Sequence, residues 1–396
     1  MNKLARVGHN ACKDDKILER LLMLACFLSN ISQLPYFVSS GITRMLNMPV
    51  WVLVLGYLVM KGQIQLTHKI ARPLYALYVV IAGMLVLSIF WENSYFNSSV
   101  FSNLFLSLFI YCLGGFAGRY ISEEGLRAIL WTYAVSAFLV SVSIYTQFFA
   151  SGFDLSSRVY AYSSKNSISQ IILTSVMILM FLKANERKTF KYIKALIILF
   201  EIVIMVLLRS RATIVGFLAC LIYIILGKQF NKKLKKFLLL MLFAGIVVVL
   251  TNSKISNIVF DQILFAGRDA SDIDALTSGR ASILKTFPTR IAGHWLTGVG
   301  ALYFECFPLS VILQFGIVIG PIILGISYLP IISCFFYKQN QECIEIFTSV
   351  CVIYAINSVF EGLAPIGPGA KCYFMWLLYG LILGQQKRIW MQQEAG

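Results

Sequence analysis

Apolar positions along this chain come in long unbroken runs. They do not alternate as in a half-buried strand, and they do not form the narrow stripe of a soluble amphipathic helix. A helix that crosses a bilayer needs about 20 mostly apolar residues. Runs of that kind cover roughly 18–38, 45–60, 73–92, 99–118, 126–150, 167–183, 192–208, 211–227, 236–252, 308–330, 344–360 and 370–386, and each predicts a spanning helix. Most connections between them are under about 17 residues. The exception is 252–307, and a loop of that length in a compact fold is usually functional. The chain therefore reads as 1–251 with nine spans, a large loop at 252–307, and 308–396 with three spans and a tail. No internal repeat, low-complexity tract or soluble terminal domain is visible in this pattern.

Lys and Arg in alternate connections set the orientation, because cytoplasmic loops collect them. With the N-terminus inside, the inside segments carry 23 of the 34 Lys and Arg and the outside segments 11. Five of those 11 lie in the long loop, where the rule carries little weight. The expectation is an all-α polytopic integral membrane protein of about 12 transmembrane helices. Both termini are cytoplasmic, and the long loop between the ninth and tenth helices is on the outer face. The first twenty residues mix Lys and Arg with Asp14, Asp15 and Glu19, and no short apolar core with a cleavage site follows, so the first helix reads as an uncleaved anchor.

Composition agrees. Of 396 residues, 58% are apolar and 13% charged, and the mean hydropathy is +0.77. A soluble chain carries about 25% charged residues. The net charge of +16 would suggest nucleic acid in a soluble protein, but here it follows from the loop bias. Part of the excess could serve an anionic lipid-linked ligand. The nine cysteines and three histidines include no CxxC and no cluster with metal spacing, so neither a disulfide framework nor a structural metal is indicated.

Several residues remain that spanning does not require. Arg209 and Arg211 separate two apolar stretches running from 192 to 227. As one helix these would be about 54 Å long, against a hydrocarbon core of about 30 Å, so the chain must turn at Arg209-Ser210-Arg211, at the outer surface. Two readings fit: residues that snorkel and fix a helix end, or a bidentate site for a lipid-linked phosphate or diphosphate. The long loop carries Thr277-Ser278-Gly279-Arg280, then Arg290, then Gly293-His294-Trp295-Leu296-Thr297-Gly298-Val299-Gly300. Glycines at 298 and 300 permit close backbone approach. Glu305 stands just before the tenth span, and a carboxylate at that depth near arginines suits a general base. It also suits the plain end of a helix. His294 is the single outer histidine, a packing or surface residue or a site residue. Arg158 lies in a second outer loop, and Glu361 and Lys371 flank a Pro- and Gly-rich last outer loop that is either a site wall or an ordinary turn. Asn166 reads as an N-cap. Asp272-Ile273-Asp274 forms a D-x-D, discounted because no nucleotide-sugar donor is expected outside the cell. Glu201 lies within the seventh span, where an acid is costly and by default functional or paired.

Ser-Arg-Ala at the outer start of a helix, a long outer loop with Ser-Gly-Arg, and then Thr-Gly-Val-Gly resemble the O-antigen polymerase and ligase superfamily over about 205–325. In the ligases a His follows the Gly-x-Gly, with a Leu and then a Gly eleven residues after that His. Here Leu309 and Gly316 keep the spacing, and Glu305 occupies the His place, which favours the polymerase (Wzy-type) family. The resemblance implies an undecaprenyl-diphosphate-linked oligosaccharide as substrate, polymerised at the periplasmic face of the bacterial inner membrane. Membrane lipids and a chain-length regulator protein would be partners, with no nucleic acid and no cofactor. On that reading Glu305 is the base and Arg280 stabilises the leaving charge. Arg209 and Arg211 hold the diphosphate with Arg280, and Arg290, His294, Arg158, Glu361 and Lys371 line the diphosphate and glycan site. Ligation of glycan to lipid A core, or flipping of lipid-linked oligosaccharide, are the alternatives.

Overall fold

The structure is a computed structural model. It describes residues 14–90, 98–152, 165–182, 188–227, 230, 232–264, 274, 280–300, 302, 304–336, 341–362, 364–367, 369–370 and 372–395. Among these the fold is all helical. The principal helices are α1 (Lys16–Ile31), α2 (Thr43–Met60), α3 (His68–Leu87), α4 (Ser98–Ala117), α5 (Glu123–Ala150), α6 (Lys165–Phe181) and α7 (Lys188–Leu207). They continue with α8 (Arg211–Leu226), α9 (Lys232–Thr251), α10 (Arg280–Ile291), α11 (Phe307–Ser327), α12 (Gln341–Phe360) and α13 (Tyr373–Ala395). Five described helices, α3, α4, α5, α11 and α12, are long and apolar enough to cross a membrane. The remaining long helices coincide with the other apolar runs. α10 and short turns at Ser253–Asn257 and Ile258–Leu264 fall inside the long loop.

Polar contacts tie the helix ends together at the end that holds the starts of α1 and α5. Asp15 caps α1 by accepting from the Leu18 N–H. Its carboxylate also accepts from the Tyr57 hydroxyl at 2.8 and 2.9 Å and from the Gln63 amide at 3.1 Å. Partial burial pushes the Asp15 carboxyl up, but these hydrogen bonds outweigh it and hold the group below its ordinary value. Ser122 caps α5, and Glu19 of α1 accepts from both its N–H (3.0 Å) and its hydroxyl (2.7 Å). Arg388 of α13 pairs with Asp14 at 2.8 Å, and Arg127 of α5 with Glu342 of α12 at 3.4 Å.

The closest helix pairing is α4 on α13, and it rests on glycine. A Cβ on Gly380 would sit 2.2 Å from the Tyr111 carbonyl, one on Gly114 2.6 Å from the Leu377 carbonyl, and one on Gly384 2.7 Å from the Gly115 carbonyl. Small residues let backbones approach where the surroundings are as apolar as the side chains. The two helices therefore form a stiff wall. The loop after α12 folds back onto it: the Gly367 N–H donates to Ser107 Oγ on α4 at 2.7 Å, and Trp376 Nε1 donates to the Pro365 carbonyl at 2.9 Å. By contrast, α9 is exposed along most of its apolar length.

Gly380→Ala is expected to destabilise the fold by roughly 1–3 kcal/mol, the range for overpacking a close contact. Gly245→Ala on α9, whose added Cβ meets nothing within 4 Å, should leave stability unchanged or slightly raised. Thermal unfolding of the two purified variants in one detergent separates these outcomes; equal melting points would refute the packing argument.

Candidate functional site

At the other end of the bundle five segments meet. The chain turns between α7 and α8 as the length argument requires. Arg209 adopts φ +53, a left-handed conformation uncommon outside glycine, and Ser210 then starts α8 from extended backbone. The Ser210 hydroxyl donates to Asn166 Oδ1 at 3.0 Å and lies 2.9 Å from Thr213 Oγ1. Asn166 Nδ2 donates to Glu361 Oε1 at 2.6 Å, just past the last residue of α12. The preceding residue, Phe360, offers its carbonyl to Arg280 Nη2 at 2.9 Å. Arg280 opens α10 and pairs with Glu305 Oε2 at 3.1 Å. Its guanidinium also stands 5.6 Å from the Phe360 ring centroid. A cation on the last carbonyls of a helix is favourable, because those groups lack intrahelical partners and carry the negative end of the dipole.

α10 and the segment after it are held by an unusual use of glycine. α11 is interrupted at Gly316, which has φ +64 and ψ −172. The chain from His294 to Gly300 lies against that break. The Val299 N–H donates to the Leu313 carbonyl at 2.9 Å and the Gly300 N–H to the Gln314 carbonyl at 3.1 Å. In return the Ile317 N–H reaches the Trp295 carbonyl at 2.9 Å. Backbone groups freed by the break thus find backbone partners, as an apolar setting demands. Gly298 faces Gly316 closely enough that a Cβ on Gly316 would sit 2.2 Å from the Leu296 carbonyl, and one on Gly298 2.4 Å from the Gln314 carbonyl. A small core of Ile291, Val299, Phe304 and Leu313 lies beneath. This anchoring sets the position of Glu305 and of Cys306. Burial pushes the Cys306 thiol up, opposed in part by the nearby Arg280 charge.

The structure therefore brings Arg280, Glu305 and Glu361 to one place and puts Arg209 and Arg211 beside it, flanking Ser210. Arg290 is not part of that place: it is exposed and ten residues further along α10, about 15 Å away at 1.5 Å per residue. His294 enters through its backbone, accepting from the Gly298 N–H at 2.7 Å. Asn166 is not an N-cap, since α6 begins at Lys165 and the Asn166 side chain crosses to Glu361. Arg158, Lys371 and Asp272 lie outside the described residues. In the sequence Ser210 stands out as part of the turn and of the Ser-Arg-Ala motif, without a role of its own. Thr213 and Phe360 have no role there; for a backbone carbonyl and a ring, sequence carries no signal.

The Arg280–Glu305 pair is accessible to solvent, with side chains 24% and 40% exposed. Such a pair is worth at most about 1 kcal/mol, so an incoming anion can displace the carboxylate. Chemically the cluster offers a fixed guanidinium for a phosphate, a carboxylate beside it for a proton, and amide and hydroxyl groups for sugar hydroxyls. No known family model matches the chain, and no curated protein is similar enough to count as a relative.

Gly316→Ala is expected to weaken the seat of the 294–300 segment, because its Cβ meets backbone and its φ is strained for an L side chain. Limited proteolysis should then cut within 292–300 at least several-fold faster than in the parent. Gly293→Ala has φ +80 but open space, and should cost only about 1 kcal/mol. Equal protection in the two variants would argue against the backbone docking.

Proposed function

We propose that this protein is an O-antigen polymerase, joining oligosaccharide repeat units carried on undecaprenyl diphosphate at the periplasmic face of the bacterial inner membrane. The observation that carries the reading is the Arg280–Glu305 pair, seated on the end of α12 and joined through Glu361 and Asn166 to the Arg209-Ser210-Arg211 turn. On this reading every long helix except α10 spans the membrane, giving twelve spans with both termini cytoplasmic, and the site end faces the periplasm. The excess of Lys and Arg on the opposite side supports that orientation.

The diphosphate of the donor competes with Glu305 for Arg280. Arg280 then neutralises the leaving diphosphate, assisted by Arg209 and Arg211. The same exchange frees the Glu305 carboxylate. It accepts the proton of the acceptor sugar hydroxyl as that oxygen bonds to the anomeric carbon and the bond from that carbon to the diphosphate oxygen breaks. Binding of the donor thus switches on the base. No metal is assigned a step.

Arg280→Ala is expected to lower polymer formation roughly 10²–10³-fold, the range for removing one charge-stabilising donor. Glu305→Gln should lower it about 10²–10⁴-fold, the range for general-base catalysis. The readout is the lipopolysaccharide ladder of a strain lacking this protein and carrying each variant. Core with a single repeat unit, restored to a ladder by the parent gene, supports the polymerase. Core with no repeat while lipid-linked polymer accumulates means ligation. Single lipid-linked units trapped on the inner face mean a transporter. EDTA should leave activity in purified membranes intact; a loss that Mg²⁺ restores would return the Asp272–Asp274 pair to consideration.

A further inference from the structure

Two polar stripes face each other inside the bundle, away from the Arg280–Glu305 pair. On α6, Asn166, Ser169, Gln170 and Thr174 recur at helical spacing and share one side. On α12, Tyr354, Asn357 and Ser358 do the same, continued by Glu361 just past its end. The two helices pack antiparallel, and two rungs join the stripes. Asn166 bonds Glu361 at the site end, and Asn357 Nδ2 donates to Gln170 Oε1 one turn deeper. Thr174 lies about 12 Å below Asn166 at 1.5 Å per residue.

At that depth the polar path reaches α7. Ser175 Oγ donates to Glu201 Oε1 at 3.0 Å, and Glu201 is fully buried. Its second oxygen, Oε2, has no hydrogen-bond partner among the described residues. The same holds for buried Ser169 Oγ. The Thr174 hydroxyl interacts with Tyr133 Oη on α5 and Tyr354 Oη with the Gln170 side chain, so hydroxyls and amides follow one another along the seam. Among the described residues, the elements packed on α7 supply no counter-charge at this level. Their titratable groups there are Tyr133 and Tyr145 on α5 and Cys220 on α8, while the charged groups of α5, α6 and α8 stand at the helix ends.

The other half of the same interface is largely apolar, although α12 also buries Glu342, Glu345, Thr348 and Ser349 there. Ile178 and Phe181 on α6, Phe347 and Val350 on α12, and Ile129 and Leu130 on α5 are all buried. Glu201 is the first fully buried carboxyl that the path from the site end meets. A charged carboxylate in such surroundings with no cation beside it among the described residues is costly. The groups along the path are oxygens of hydroxyls and amides. A hydroxyl accepts one hydrogen bond while donating another, and a buried water needs such partners.

We propose that Glu201 is a proton-binding site loaded from the site end through the α6–α12 seam. A hydronium at that surface gives a proton to the chain of waters and hydroxyls, each of which accepts one proton and passes on another. The last proton rests on Glu201 Oε2, and no electrons move. Ser169, Tyr354 and Thr174 carry the relay. The inference does not depend on what reaction the protein performs.

The test is infrared spectroscopy of the full-length protein in lipid nanodiscs, following the carbonyl stretch of protonated carboxyls on transfer to D₂O. The parent should show a band that Glu201→Gln removes and that shifts within the mixing period. In the double variant Ser169→Ala, Thr174→Val the band should remain and its shift should slow at least tenfold. If Glu201→Gln does not fold, Glu201→Asp assigns the band by moving it. Absence of any Glu201 band across the pH range would overturn the proposal, as would an unchanged exchange rate in the double variant. A band that appears only when Na⁺ is removed would assign the site to sodium and overturn it equally.

Discussion

Polar side chains inside an apolar bundle are stabilised by pairing with one another, and two such pairs set the register on which the site depends. Asn166 with Glu361 and Gln170 with Asn357 are bonded across α6 and α12. Sliding α12 by one turn would break both rungs at once and leave the buried Gln170 and Asn357 open, at a cost of about 1–3 kcal/mol each. The register in turn fixes where α12 ends. The last carbonyl of that helix is the acceptor for Arg280, and Arg280 holds Glu305. The location of the outermost carboxylate is thus decided by amides buried beneath it.

The opposite wall obeys a different rule. Between α4 and α13 no side chain intervenes where Gly114, Gly380 and Gly384 meet carbonyls, so packing there is set by backbone contact alone. Contacts of this kind have little freedom to adjust. The seam between α6 and α12 is held by hydrogen bonds among flexible side chains, and the 294–300 segment by hydrogen bonds to a broken helix. A rigid wall on one side and a hydrogen-bonded seam on the other put what adaptability the molecule has next to the site.

Much of this was legible in the sequence, for definite reasons. Helices follow from apolar runs, because length and hydropathy are local properties. The turn at Arg209-Ser210-Arg211 follows from a length too great for one span. Gly298 and Gly300 announce close approach, but their partner does not. Gly316 looks like one glycine among many in an apolar run, and its role exists only once a segment sixteen to twenty-two residues earlier lies against it. Asn166 resembles a cap because the sequence nearby is all that reading can use, while its actual partner is 195 residues away. The same limit explains Arg280 and Arg290. Both precede Glu305 in one loop, and only the fold places one against the carboxylate and leaves the other exposed.

Three of the contacts that Arg280 makes differ in strength. The Phe360 carbonyl and ring are parts of α12 and move only with it. Glu305 is half exposed on a short connection and bound by an ion pair that water competes with. When an anion arrives, the weakest of the three is the one displaced, and the guanidinium stays where the other two hold it. A cation that need not be repositioned stabilises developing charge without paying for reorganisation at that moment. The arrangement favours exchange of one anion for another at a fixed arginine. Placing the displaced carboxylate within reach of the incoming ligand is then a consequence of the geometry and needs no separate device.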